Sequence, residues 1–136
     1  MSQELITADN LTKELLASIL DAAFMEYSLD DENDLMVNAE VNYFVLLSDR
    51  KDRIQLMCLF GFEPDSSELE RLQCVNNINN KYIIIRASSR DNKTLCITWD
   101  IPVAGGISKK AFVLALKRFS SIPQDAIKDF ASDLIK

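Results

Sequence analysis

The chain has 136 residues, of which 48% are hydrophobic and 26% charged, a composition that predicts one globular domain, residues 1–136, with its own core. Its 15 Lys and Arg residues against 21 Asp and Glu residues give a net charge of −6. This charge disfavours nucleic acid and anionic membranes as partners, because both are bound through excess cations.

The types of residue present also limit the chemistry of the chain. It contains no histidine, which excludes an imidazole general base and His metal ligands. The acidic run 30–34 lacks the glycine and glutamate spacing of a calcium loop. Gly105 and Gly106 lack the spread glycines and placed lysine of a phosphate-binding loop. We therefore expect no metal and no other cofactor.

The lack of a recognisable targeting signal and the spacing of the cysteines predict a cytoplasmic protein. No stretch approaches the roughly 18 apolar residues of a transmembrane helix, and residues 1–4 begin no signal-peptide pattern. Cys58, Cys74 and Cys96 lie far apart in the sequence. Such cysteines are more typical of small buried apolar side chains than of ligands or disulfides.

The first half predicts one helix followed by three strands. Apolar residues at helical spacing from about residue 8 to 27 predict an amphipathic helix, with Thr7 or Asn10 as its cap. The acidic run 30–34 predicts a solvated turn. Period-2 patterns then predict three strands, the last two joined by a polar hairpin turn at 49–52, over residues 35–39, 41–48 and 53–60.

The second half predicts a helix, a strand pair and two more helices. The first helix runs to about Asn80 and is capped by Asp65, with Glu68 three residues on, or by Ser67. Strands at 82–89 and 94–101 follow, then a helix at 109–119 capped by Ser108 and a last helix opened by Pro123. With the last two helices counted as one helical segment, the order α-β-β-β-α-β-β-α predicts an α+β fold, an antiparallel sheet with helices mainly on one face.

Several short motifs of this second half occur together in one known family. They are the asparagine-bearing helix 72–82 (LQCVNNINNKY), the strand pair 83–101, and Ala-Gly-Gly-Ile-Ser at 104–108 before a helix that closes on Phe119. In these features residues 35–120 resemble the YbjN family of bacterial proteins, although many relatives carry Trp at the position of Ile78. The resemblance implies a fold like that of type III secretion chaperones, often dimeric, with no established catalytic site.

The predicted sheet has an unusually apolar second face. A sheet covered on one side normally alternates apolar residues with polar ones on its wet face, but here apolar residues occupy both faces of four strands. In one interpretation, a terminal helix crosses over and covers the second face. In the other, the face is a protein-binding surface, either a homodimer seam or a groove for a client, because lone monomers seldom expose large apolar patches. Its residues are Phe44, Leu46, Met57, Leu59, Ile84 and Cys96.

The asparagines near residue 80 allow two interpretations. Asparagine is favoured at the C-terminal ends of helices, so this cluster first indicates fraying and capping. Alternatively, Asn76 and Asn79 form a polar binding site by pairing their side-chain amides with the backbone of an added strand.

These observations predict a non-catalytic domain, chaperone-like or regulatory, that binds an apolar segment of a partner protein and forms a homodimer. The alternative is a small cytoplasmic enzyme that uses carboxylates or Cys74 without metal or histidine. A reactive thiol needs an exposed, electropositive setting, so the surroundings of Cys74 discriminate between the two hypotheses.

Overall fold

The computed structural model describes residues 5–136. Residues 1–4, on which the expectation about a signal peptide partly rests, lie outside the described residues. The described elements are, in chain order, β1 (Leu5–Ile6), α1 (Lys13–Ala22), β2 (Tyr27–Leu29), β3 (Leu35–Val37), β4 (Tyr43–Leu47), β5 (Arg53–Gly61), α2 (Glu68–Lys81), β6 (Arg86–Arg90), β7 (Thr94–Pro102), β8 (Ile107–Ser108), α3 (Lys109–Phe119) and α4 (Ile122–Phe130).

Six of the strands form one antiparallel sheet in the order β2-β3-β4-β5-β7-β6. The predicted α+β class and the predicted order of the main helices and strands are confirmed. The structure adds three short strands, because β2 extends the sheet at one edge and β1 pairs with β8 in a separate two-stranded ladder.

Local turn chemistry fixes the registers of the hairpins. The β6–β7 turn places Asp91 and Asn92 at φ 52° and 54°, the consecutive left-handed residues that a tight hairpin turn of type I′ requires. In the β2–β3 connection, the Asp30 side chain accepts hydrogen bonds from the backbone N–H groups of Glu32 and Asp34. The acidic run is therefore a turn, as the sequence predicts.

The first helix is shorter than predicted at both ends. Thr12 caps it, since its hydroxyl accepts from the N–H of Leu15 at 3.0 Å, whereas neither Thr7 nor Asn10 does so. The Asn10 side chain instead accepts from the N–H of Thr7 and donates to the carbonyl of Leu5, which closes the loop after β1. The helix ends at Ala22 rather than at residue 27, and the next residues enter β2.

Helix starts in the second half follow the predicted caps. Ser67 forms a capping box with Glu70 and opens α2, and the Ser108 hydroxyl accepts from the N–H of Ala111 at 2.9 Å to open α3. Pro123 lies in the first turn of α4. However, α2 continues to Lys81 and β6 begins only at Arg86, so residues 82–85 form a link instead of the start of a strand.

The helices cover one side of the sheet, and α2 also runs along its edge strand β6. The Tyr43 hydroxyl of β4 donates to the carbonyl of Leu116 in α3 at 2.9 Å, and its ring meets Phe119 edge-on with centroids 5.0 Å apart. Helices α1 and α4 both pack against α3, and α2 packs against α4 and β6. Within residues 5–136 no helix crosses the opposite side, which we call the open face. It consists of Ser28, Met36, Phe44, Leu46, Arg53, Gln55, Met57, Leu59, Gly61, Arg86, Ser88, Arg90, Thr94, Cys96, Thr98, Asp100 and Pro102.

Candidate functional site

Met57 lies at the centre of the open face. Strand pairing aligns it with Phe44 on β4 and Thr98 on β7, and extends this row to Met36 on β3 and Arg86 on β6. Side chains directly opposite one another on neighbouring antiparallel strands have Cβ atoms about 5 Å apart. The row therefore forms a continuous band across five strands, apolar at its β3 end and cationic at its β6 end.

Two further rows flank this band and also run from an apolar to a polar end, although the first ends in a carboxylate and not in a cation. They are Leu46–Gln55–Asp100 and Leu59–Cys96–Ser88. The Gln55 amide donates to the Asp100 carboxylate at 2.9 Å, so the polar end of the first row is internally paired. Apolar side chains thus gather over β3, β4 and β5, while polar and charged ones gather over β6 and β7.

Four of the predicted face residues reach the surface, although to different extents. Leu59 is 40% exposed, and the half-buried ones are Phe44, Leu46 and Met57. The guanidinium of Arg90 reaches over from β6 and lies 3.6 Å from the Met57 sulfur. The result is a shallow apolar surface with a cation beside it.

The other two predicted face residues are placed differently. Cys96 belongs to the open face by register but is only 1% exposed, so neighbouring side chains cover it. Ile84 lies in the link before β6 and lines a depression with Arg118 of α3 and Ile122 of α4. The structure does not bring Ile84 together with the other five residues, because the strand alternation used to place it begins only at Arg86.

The Asn79 side-chain amide pairs with a strand backbone, as expected of a binding residue, but that strand belongs to the same chain. Its side chain accepts from the N–H of Ala87 at 2.7 Å and donates to the carbonyl of Ala87 at 3.1 Å. This pair fixes α2 along the outer side of β6 and covers an edge that would otherwise attract another strand. Asn76, by contrast, is exposed on α2.

The cysteines lie in surroundings that disfavour nucleophilic chemistry. Cys74 is only 2% exposed, and burial raises the pKa of its thiol. Burial likewise raises the pKa of Cys58 to about 12, with a smaller contribution from the nearby Cys96 thiol. Since the thiolate is the reactive form, the raised pKa values disfavour nucleophilic chemistry at these two thiols.

Where carboxyl pKa values are shifted, they are lowered, which is the opposite of what a general acid requires. The pKa of Glu70 is lowered, first by the hydrogen bond from the backbone N–H of Ser67, and that of Asp129 is lowered, first by Lys81 and then by Tyr82. A catalytic acid needs a raised pKa. Among residues 5–136 no three His, Cys, Asp or Glu side chains are grouped to hold a metal ion, and none of the helices could span a bilayer.

The sequence interpretation missed the cations of the open face. Arg86, Ser88 and Arg90 follow one another at a spacing of two residues along β6. Continuing the alternation that placed Ile84 would have assigned all three to the second face. The period-2 pattern thus carries a signal for these cations, which an interpretation based on apolar residues alone does not use.

The comparisons with known proteins agree with this architecture. The sequence model of the YbjN family, described as "Putative bacterial sensory transduction regulator", matches residues 12–132. The chain therefore belongs to the YbjN family, as its asparagine-bearing helix and Gly-Gly loop indicated. No curated protein sequence matches the chain.

Solved structures show the same fold at low sequence identity. YbjN from E. coli, described as "a putative transcription regulator", superimposes with a TM-score of 0.76 at 18% identity and 99% coverage of both chains. An uncharacterized protein from Methanothermobacter thermautotrophicus gives 0.59 at 15% identity, covering 90% of this chain and 98% of that one. The Yersinia pestis type III secretion chaperone SycH, solved in complex with a fragment of YscM2, gives 0.55 at 12% identity, covering 85% and 96%. The fold is thus that of the secretion chaperones.

Proposed function

We propose that this chain is a non-catalytic, cytoplasmic protein-binding domain that holds an apolar segment of a partner protein on its open face and works as a homodimer. The observation that carries the proposal is the band of Phe44, Met57 and their apolar neighbours on β3, β4 and β5, which no helix of the described residues covers. Apolar side chains in such a position favour association, since each contributes about 1.5 to 3 kcal/mol when fully buried.

The chemistry around the band supports a protein partner. An interface commonly has an apolar centre with a polar rim, and Arg is enriched there. The open face has this arrangement, with Arg86 and Arg90 on β6 beside the apolar surface. The regulator description of the family and the chaperone fold are compatible with this role, although fold alone does not establish function.

The enzyme hypothesis has less support. It required an accessible thiol or a perturbed carboxyl, whereas Cys74 is buried with a raised pKa and the shifted carboxyl pKa values are lowered. Slow modification of all three cysteines by a thiol reagent in the folded protein is the expected result. Rapid modification of Cys74 would reopen the hypothesis.

The substitution Met57→Asp tests the proposal. The charge reaches water in a free monomer, so we expect the variant to fold with its melting temperature little changed. Burying an unpaired carboxylate in an interface is costly, so the variant should lose both self-association and partner binding. The measurements are circular dichroism melts, light scattering behind a sizing column, and affinity capture with mass spectrometry.

Ile83→Asp is the matched control, because Ile83 is 98% exposed and lies in the link before β6, away from the open face. This control should assemble and bind like the unmodified chain. A mass that stays near the single-chain value of 15.4 kDa at all concentrations would contradict the homodimer. Unchanged assembly and unchanged partners for a folded Met57→Asp variant would contradict the role of the open face.

A further inference from the structure

A second apolar surface lies between α1 and α3, in the helix layer on the other side of the sheet from the open face. It is a groove of about 420 Å³ whose apolar side chains come from both helices and include Ile19, Val113 and Leu114. Leu114 is 55% exposed, so the floor is open to solvent. An apolar groove between two helices is a place where the apolar face of a third helix can pack.

The rim of this groove is cationic although the whole chain is acidic. Helix α3 (KKAFVLALKRF) contains four Lys or Arg residues and no Asp or Glu, whereas the net charge of the chain is −6. Lys110 and Lys117 line the groove and are exposed, and neither makes a salt bridge within residues 5–136. No carboxylate of the described residues lines the groove. A local positive potential of this kind attracts and orients negatively charged partners.

Phe24 provides an independent sign of a contact at the end of α1. It directly follows Ala23, which lines the groove, and it is 96% exposed. Its φ of 58° places it in the left-handed region, and the N–H of Met25 donates to the carbonyl of Leu20 at 2.9 Å. This is the helix-ending position that glycine normally occupies, and a bulky residue there is uncommon. Strain kept at an exposed aromatic residue is typical of a functional position.

From these three observations we infer that the groove and Phe24 bind an acidic amphipathic helix of another protein. Apolar side chains of that helix, spaced at i, i+3 or i+4, and i+7, pack on the floor, and flanking Asp or Glu residues meet Lys110 and Lys117. Phe24 packs on the apolar face as an aromatic anchor, a residue type that commonly dominates interface energetics. A nucleic acid is disfavoured because an apolar floor offers nothing to phosphates and the net charge of −6 repels them.

A labelled synthetic peptide tests the inference on the full-length chain. The probe is an amphipathic helix of about 16 residues, roughly four turns, with leucines along one face and glutamates on both flanks, and its counterpart carries lysine at each glutamate. Fluorescence anisotropy should show binding of the acidic peptide only, and the affinity should fall as NaCl rises, because salt screens exposed charges. Lys110→Glu and Lys117→Glu should each weaken binding about tenfold.

Three variants show whether the peptide binds in the groove or elsewhere on the chain. Lys93→Glu makes the same charge change in the β6–β7 turn, outside the groove, and should bind the peptide normally. Met57→Asp should also bind it normally, since the open face lies on the other side of the sheet. Phe24→Gly should raise the melting temperature, because glycine adopts a positive φ without strain, and yet weaken peptide binding.

Several results would overturn the inference. Equal binding of the acidic and basic peptides, or unchanged binding by Lys117→Glu, would exclude the charge complementarity on which it depends. So would a finding that duplex DNA or anionic vesicles bind at the lysines while the acidic peptide does not. Self-association that both lysine variants abolish, without peptide binding, would assign the groove to a second copy of this chain instead.

Discussion

The two faces of the six-stranded sheet are both apolar along β4 and β5 but have different surroundings. On the helix side Val45, Leu56 and Cys58 are at most 3% exposed. On the open face the adjacent residues Phe44, Leu46 and Met57 are half-buried, and Leu59 is 40% exposed. The hydrophobicity of a strand therefore does not show whether its apolar residues stabilise the chain itself. What decides this is the layer that covers each face.

The two faces also differ in whether their polar groups find partners within the chain. On the helix side the Tyr43 hydroxyl bonds both to the Leu116 carbonyl and to the Ser120 hydroxyl, and so it is satisfied within the chain. On the open face Arg90 lies against the Met57 sulfur and Arg86 lies opposite Thr98, and neither arginine makes a salt bridge within residues 5–136. Groups satisfied internally stabilise the fold, whereas cations beside an apolar surface are available to a partner.

Neighbouring residues on β5 provide the sharpest test of this difference. Leu56 is fully buried toward the helices, so Leu56→Ala should lower the free energy of unfolding by about 2 to 5 kcal/mol through lost burial and a cavity. Met57→Ala, one residue on and pointing to the open face, should cost about 1 kcal/mol or less, because its side chain is already partly in water. Urea unfolding followed by circular dichroism measures both.

Equal losses for Leu56→Ala and Met57→Ala would break the comparison. They would mean that the open face is covered in solution and contributes to the core in the same way as the helix side. Unfolding at several protein concentrations separates cover by a second copy, which is concentration-dependent, from cover within one chain.

Much of the sheet is predictable because its pairings are local. The two long hairpins combine period-2 patterns with polar turns, and both signals lie within about ten residues of each other along the chain. The strands β1, β2 and β8 were missed because they are two or three residues long. Moreover, β1 pairs with β8, about a hundred residues later in the sequence, and no local pattern encodes such a contact.

The errors in the site have equally specific causes. Phe24 ends α1 in a left-handed conformation without the glycine or proline that usually signals a helix end, and so the apolar pattern predicts a helix that runs on to Tyr27. The Asn79 amide does pair with backbone groups, but they belong to Ala87 of the chain's own β6. Which backbone an amide meets depends on how α2 docks, and that tertiary contact has no signal in the sequence.

Tyr43→Phe tests the internal pairing on the helix side and should have a smaller effect than Leu56→Ala. It removes one hydroxyl from a largely buried site, while the Ser120 hydroxyl still donates to the Leu116 carbonyl at 2.9 Å. The expected loss of unfolding free energy is about 0.5 to 1.5 kcal/mol. Tyr27→Phe is the control, because its hydroxyl bonds to Asp21 in an exposed setting and should change stability less. Equal losses would show that the buried pairing is no stronger than the exposed one.

The smallest predicted effect concerns the polar contact that joins α2 to α4 at the rim of the helix layer. Asp129 accepts from Lys81 at 2.6 Å and from the Tyr82 hydroxyl at 2.7 Å, and these bonds lower the pKa of its carboxyl. A carboxyl whose pKa is lowered in the folded state makes its full contribution to stability at pH values above its ordinary pKa of about 3.9. This contribution is then lost as the pH falls through the folded-state value. Asp129→Asn should therefore lower the melting temperature slightly at pH 7, and by progressively less as the pH falls below about 4.

Salt decides whether this small difference comes from the charge. The Lys81 side chain is 55% exposed and that of Asp129 is 34% exposed, and exposed pairs contribute little and are screened by salt. The difference between the original chain and Asp129→Asn should thus shrink in 1 M NaCl at pH 7. A difference that is large, independent of pH and unaffected by salt would mean that Asp129 acts through packing at the α2–α4 contact. The helix layer would then depend on its rim as well as on its buried apolar side.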